Sequence, residues 1–359
     1  MALHVRGVLL PDDEARDLYL VGDRVTFEPV AGARTVATGG YVLPGLVDAH
    51  CHIGIRPGGA PIESADEARA LAAVDRDAGV LAIRDAGSPY PYPELDGDPD
   101  VPRLARAGRH IASPRRYLPN IGVEVPAAAV TAEVAAQAKA GNGWVKLVGD
   151  WIDRQAGDLR PSWDAATVRA AIETAHAAGV RVAAHTFDEA GVAALVAAGV
   201  DSVEHGTGLS TDLVDRMAAQ GTALVPTMIN VETFDRIADR AQERFPGYAA
   251  HMRALRAGFP DVVRAAFQAG VPIYVGTDAG GGIDHGNVAE EMILLAERAG
   301  IPPAEVLAAA SWRGRTWLGL GGLVEGGPAD LVVYDTDPRR DLRAVRDPAR
   351  VILRGRVVK

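Results

Sequence analysis

The sequence predicts an α/β fold, a (β/α)8 TIM-type barrel over residues 45–322 with a small β-sandwich made by both termini, 1–44 and 323–359. Three observations predict it. Between residues 45 and 322, short apolar runs alternate with Ala-rich helical stretches, giving eight strand candidates. Both ends are instead β-rich and broken by Gly, Pro and acidic turns. Histidines and an aspartate close several of the middle strands, the ends at which such barrels carry their chemistry. A doubly wound open sheet would alternate in the same way, and pattern alone leaves that alternative standing.

Taken in order, segments 3–10, 17–21, 24–29 and 35–42 read as the first short strands. Segment 46–48 opens the middle, and further strand-like runs span 80–84, 110–112, 144–148, 181–185, 202–205, 223–228 and 273–277. Helical stretches lie between them, at 65–78, 127–140, 164–178, 190–198, 211–220, 258–268 and 289–299. Gly79, Gly179, Gly199 and Gly270 each stand after a helix and before Val, where glycine supplies the left-handed stop. The tail returns to β character at 330–334 and 350–358, with Gly326-Gly327-Pro328 as a turn.

The net charge of −10 comes without a basic stripe, which argues against a nucleic-acid partner. No apolar run has membrane length, so no membrane partner is expected. Cys51 is the single cysteine, which excludes an internal disulfide and suits a reducing compartment. The first residues lack a signal-peptide apolar region, so a cytoplasmic location is expected. A small-molecule substrate, with or without assembly into a homo-oligomer, is the expectation for partners.

The chemistry starts at Pro44-Gly45-Leu46-Val47-Asp48-Ala49-His50-Cys51-His52. Residues i and i+2 of a strand share a face, so His50 and His52 can aim two imidazoles at one point. His185 ends Val182-Ala183-Ala184-His185, His205 ends Ser202-Val203-Glu204-His205, and Asp278 follows Ile273–Thr277. Histidines at three strand tips with an aspartate at a fourth suit a divalent metal, zinc first, with Mn, Fe or Co as alternatives. Lys146 interrupts the apolar strand Trp144–Val148. Burial favours its neutral amine, which can take up carbon dioxide as an N6-carbamate able to bridge two metals. Cys51, between the two histidines, should face the other way as core filler. His4, His110, His176 and His251 read as structural.

These residues resemble the amidohydrolase superfamily, in its binuclear subtype with a carboxylated lysine. The matching positions are His50, His52, Lys146, His185, His205 and Asp278. Pro44–His50, Val203–Gly206 and Gly276–Ala279 are similar to the imidazolonepropionase-related branch, which includes Xaa-Pro and Xaa-Arg dipeptidases. The resemblance implies one ion on His50, His52 and Asp278, another on His185 and His205, and the Lys146 carbamate between them. It implies attack of a bridging hydroxide on a carbonyl, with Asp278 as general base and then general acid. The implied activity is hydrolysis of a C–N amide bond, of a dipeptide or N-acyl amino acid. Alternatives are a cyclic amide, lactone or carbamate-type xenobiotic, and a non-catalytic metal-binding barrel. A mononuclear deaminase is argued against by Lys146.

Substrate contacts are expected on loops after the strands. Ser113–Asn120 offers Tyr117 as a donor to a developing oxyanion and Arg115 and Arg116 as carboxylate readers. Tyr117 reads equally as a packed aromatic, and the arginines as solvated charges. The Gly-rich run after Asp278 offers His285, facing substrate or a carboxylate behind the ligands. Segment 230–252 reads as a lid or a solvated helical excursion.

Overall fold

The computed structural model describes residues 2–90 and 92–359. The chain opens with β1 (Leu3–Leu9), β2 (Glu14–Val21), β3 (Arg24–Thr26) and β4 (Arg34–Pro44). β5 (Leu46–Cys51) follows across Gly45, then α1 (Ala65–Asp77), β6 (Val80–Asp85), β7 (Arg103–Arg106), β8 (His110–Ala112) and β9 (Val123–Glu124). α2 (Val130–Ala140) leads to β10 (Trp144–Val148), a hairpin of β11 (Asp150–Asp153) and β12 (Asp158–Pro161), and α3 (Ala165–Ala177). Next come β13 (Arg181–Thr186), α4 (Glu189–Ala198), β14 (Ser202–His205), α5 (Thr211–Gln220) and β15 (Ala223–Val225). Helices α6 (Met228–Val231), α7 (Phe234–Ala241), α8 (Pro246–Gln268), α9 (Val288–Glu297), α10 (Pro303–Ala310) and α11 (Trp312–Trp317) precede β16 (Leu331–Tyr334), β17 (Arg350–Leu353) and β18 (Arg356–Val357).

The middle strands run parallel, in two ladders ordered β5-β6-β7 and β15-β14-β13-β10-β8-β9. Every residue of β5, β6 and β10 is buried, as expected of strands covered on both faces. Apolar helix faces close over them: Val168, Ile172 and Leu195 share one core cluster with Leu147, Val182 and Val203. Capping sets where the helices begin. The Asp164 carboxylate accepts from Thr167 N at 2.8 Å and Asp188 from Gly191 N at 2.8 Å.

Two strands differ from the sequence reading. The third is broken: β7 pairs with β6, β8 with β10, and residues 107–109 change partner between them. The charged run Arg103-Leu104-Ala105-Arg106 hid its first half. The eighth, at 273–277, is held by single bridges and backbone bonds rather than a regular ladder. Tyr274 N donates to Leu224 O, and Ala49 N donates to Val275 O, so the segment links β15 to β5. Pro272 lacks a donor. Gly276 approaches so closely that a Cβ would lie 2.7 Å from His50 N, so regular pleating stops there. The helix expected from residue 258 begins at Pro246 and runs through Pro260.

Both termini enter one seven-stranded sheet, ordered β18-β17-β16-β4-β1-β2-β3. It is one continuous ladder rather than two separate sheets, and Leu3, Leu18, Val42, Leu331 and Ile352 gather on a single core. Among the described residues, no helix is long and apolar enough to cross a membrane.

Candidate metal centre

Strand alternation turns His50 and His52 inward together from the end of β5. His50 Nε2 lies 3.2 Å from His52 Nε2 and 3.2 Å from Asp278 Oδ1, which is 3.0 Å from His52 Nε2. The outer nitrogens are engaged: His52 Nδ1 sits 2.7 Å from Gly87 O, and His50 Nδ1 2.6 Å from Glu204 Oε2. With protons on those outer nitrogens, both Nε2 lone pairs and a carboxylate oxygen converge on one point. Three electron-rich atoms so placed repel one another unless a cation sits among them.

His185 and His205 form the second half. His185 Nδ1 is 3.0 Å from His205 Nε2, and His205 Nδ1 is held 2.7 Å from Thr227 Oγ1. The His50 and His205 rings stand 5.2 Å apart, which joins the halves. Lys146, on β10, is buried, and its Nζ has no hydrogen-bond partner among the described residues. Burial, with Arg84 adding, lowers its ammonium from 10.5 to about 8, although Glu204 opposes. Burial also lowers His50 and His185, and takes His205 to about 3, so these rings are neutral at pH 7. Burial alone would raise Asp278, but His50 and His52 hold it well below the usual carboxylate range. Neutral imidazoles, an ionised carboxylate and an unpaired amine open to carboxylation fit divalent metal.

A buried frame orients these groups. Arg84 donates to Glu204 Oε2 at 2.6 Å and to Ala49 O at 2.5 Å, with its guanidinium 4.7 Å from the Trp144 ring centre. Despite burial, Arg84, Lys146 and His50 hold Glu204 well below its ordinary pKa. Asp48 accepts from His50 N, Thr277 N and Thr277 Oγ1, tying β5 to the segment before Asp278. Asp150 does the same after β13, accepting from Thr186 Oγ1, Phe187 N and Asp188 N. His205, Thr227 and Asp278 all have positive φ (65°, 49° and 59°), a conformation the surrounding bonds impose where side chains turn inward.

The other candidates separate. Tyr117 joins the site, its ring 5.0 Å from His110 and 6.3 Å from His185, and burial and the Asp278 charge keep its phenol protonated. Arg116 is tied down by Asp153 Oδ2 at 3.0 Å, Trp151 O at 2.9 Å and Arg160 O at 2.6 Å. Arg115 is exposed, and both arginines line a cleft of about 590 Å³ with Ser113, Ile152, Asp153 and Arg154. His285 lies behind β5, with Nδ1 2.8 Å from Asp75 Oδ2, a carboxylate partner away from the convergence point.

Three residues at the site escaped sequence reading. His110, read as structural, pairs in register with Lys146; its ring lies 5.0 Å from His52, and both nitrogens are buried without partners among the described residues. The break in the third strand explains the miss: read as opening a strand, it stands on the strand's second half. Asn230 donates from Nδ2 to Asp278 Oδ2 at 2.7 Å from α6, which Glu291 anchors by accepting from Met228 N and Ile229 N at 2.8 Å each. Burial raises that glutamate to about 8. A polar Asn or Glu in apolar helical context is only a weak sequence signal.

Comparison with known proteins fits this geometry. The amidohydrolase family profile matches residues 41–358. An uncharacterised protein of Mycobacterium tuberculosis is 52% identical over 355 residues, covering 99% of this chain and 95% of its own. An Aspergillus niger ochratoxinase is 29% identical over 175 residues, 47% of this chain and 35% of its own length. The crystal structure of that ochratoxinase superposes with a TM-score of 0.81 at 20% identity, covering 100% of this chain and 95% of its own. The structure of a Xaa-Pro dipeptidase with bound methionine superposes with a TM-score of 0.83 at 23% identity, over 100% of both chains. At such identities the likeness shows a shared TIM-barrel-type α/β fold. The chain belongs to the amidohydrolase family, and is thus a hydrolase acting on carbon–nitrogen bonds.

Proposed function

We propose that the protein is a two-metal hydrolase that cleaves the amide bond of a dipeptide or N-acyl amino acid. The observation that carries this reading is the convergence of His50, His52 and Asp278 beside His185, His205 and the unpartnered Lys146 amine. His50, His52 and Asp278 would hold one ion and His185 and His205 the other, with N6-carboxylated Lys146 shared. Bound zinc, or Mn, Fe or Co, supplies Lewis acidity and a water that loses its proton near neutral pH. Within the chain, Asp278 Oδ2, steadied by Asn230, accepts the proton of the attacking water and returns it to the leaving nitrogen. That return matters because an amine leaves poorly unless protonated. Tyr117 donates its hydroxyl proton to the oxygen on which charge develops, and the adjoining His110 ring excludes water. Arg115, exposed at the cleft, can read a substrate carboxylate, while Arg116 holds the loop to the hairpin. The structural likeness to a Xaa-Pro dipeptidase supports a substrate of this kind.

A panel of dipeptides, N-acyl amino acids and lactones, assayed with zinc- or manganese-loaded protein, tests the reading. The expected result is turnover of carboxylate-bearing amides, two metal equivalents per chain, and a kcat/KM drop of at least about 10³ in Lys146→Ala. Metal-free protein with full activity, or an unimpaired Lys146→Ala, would refute it. Turnover confined to neutral cyclic amides, lactones or carbamates would move the substrate to that class instead.

A further inference from the structure

Strand β5 has a second face. Cys51 turns away from the convergence point of His50 and His52, and behind the strand it meets two other metal-binding side chains. Cys51 Sγ lies 3.6 Å from Asp75 Oδ2, on the last turn of α1, and 3.7 Å from His285 Nδ1, on the loop after Asp278. His285 Nδ1 and Asp75 Oδ2 are 2.8 Å apart, and Gly286 N donates to Asp75 Oδ1 at 2.7 Å. All three side chains are buried, that of His285 with 2% exposure. They come from three separate elements, and their ligand atoms all lie within 4.8 Å of one another.

We propose that Cys51, Asp75 and His285 form a third metal site, a single-ion site of thiolate, carboxylate and imidazole that takes zinc. Sulfur, oxygen and nitrogen donors in this combination suit a borderline-soft ion. Bonds of about 2.0–2.3 Å at a tetrahedral ion put neighbouring donors roughly 3.3–3.6 Å apart. The two sulfur contacts already match this spacing, and the Asp75–His285 contact has to open by about half an ångström. Without an ion, His285 Nδ1 carries the ring proton and donates to Asp75 Oδ2, while Nε2 is buried without a partner among the described residues. Metal binding at Nδ1 would shift that proton to Nε2, so the ring would stay neutral while Nδ1 offers its lone pair. On binding, the metal–sulfur bond forms as the thiol releases its proton to solvent; no oxidation occurs. Such an ion would pin the Gly-rich loop and α1 to the strand carrying His50 and His52. Without it, the same atoms make a hydrogen-bonded pin centred on Asp75.

The test is Co²⁺ titration of the full chain after chelator treatment, followed by absorption spectroscopy and metal counting. The expected result is a third equivalent carrying a near-ultraviolet thiolate-to-cobalt charge-transfer band, separate from the visible bands of an all-N/O centre. Cys51→Ala should abolish the band and one equivalent, and Asp75→Asn should weaken that equivalent by about 10–100-fold. His285→Gln, which keeps the side-chain bulk, should also lose the band, covering the case in which Cys51→Ala fails to fold. Absence of the band in the unaltered protein at saturating Co²⁺ would overturn the proposal. So would a band that survives in both Asp75→Asn and His285→Gln, because the thiolate would then be serving the first centre. The readout is independent of activity and does not rest on the reading given to that centre.

Discussion

At the scale of single residues, Lys146 and Glu204 carry opposite burdens. Lys146 is a buried amine without a hydrogen-bond partner among the described residues, and burial lowers its pKa from the ordinary 10.5 to about 8. The unfolded chain therefore binds more protons between those values, so the burial penalty applies in full below pH 8 and fades as pH rises through 10.5. Metal-free Lys146→Met should be more stable than the unaltered chain at pH 7, by about 3 kcal/mol. The gap should close towards pH 10.5, as read from urea unfolding at a series of pH values, while activity is lost at every pH. An unchanged gap would mean that the amine is neutral or paired throughout. Glu204 is instead satisfied by Arg84 and His50. Glu204→Gln leaves the Arg84 guanidinium buried without its charge partner and should cost about 3–5 kcal/mol in denaturant unfolding. By releasing His50 Nδ1, it should also weaken metal binding about 10–100-fold in a competition titration. The metal-ligand candidates were legible because the histidines and Asp278 stand at the ends of apolar runs and Lys146 interrupts one. Glu204 was legible only as a neighbour of His205, since its partners come from β5 and β6.

At the scale of elements, α6 shows how a very short helix can matter. Its four residues stand between β15 and α7, their backbone donors fastened to Glu291 of α9 and their Asn230 amide to Asp278. Asn230→Ala removes only that amide from the site. It should lower kcat about 10–100-fold with little change in KM, and the melting temperature should move little. An equal loss in KM would point to substrate contact instead. The segment 230–252, read as a lid or an excursion, is a set of packed helices: Phe234, Ala238 and Met252 are buried. Helices with Gly stops, such as α4 before Gly199, were legible because capping is local chemistry. The first half of the third strand was not, because β7 draws its stability from pairing with β6 rather than from its own residues.

At the scale of the molecule, the terminal sheet and the parallel strands are physically continuous. β4 runs into β5 across Gly45, and β16 pairs with β4 from Leu331↔Pro44 to Tyr334↔Tyr41. Buried Asp330 accepts from Arg315 at 2.9 Å, from Arg103 and from Arg354 N at 2.9 Å, joining the tail to α11 and β7. Asp330→Asn leaves the buried Arg315 without a counter-charge, and its unfolding free energy should fall by about 3–5 kcal/mol. Thermal unfolding should remain a single transition, because sheet and strands share these ties; two separated transitions would show that they are independent. The sequence by itself determined the α/β class, the meeting of the two termini and the six candidate metal-binding positions. Those follow from periodicity, local stop signals and polar residues placed at the ends of apolar strands or, for Lys146, inside one. Only the tertiary structure decided that His110 faces the centre, that Arg116 is spent on the hairpin, and that Cys51 meets Asp75 and His285. Each depends on which distant segments pack together, and distance along the chain carries no trace of that.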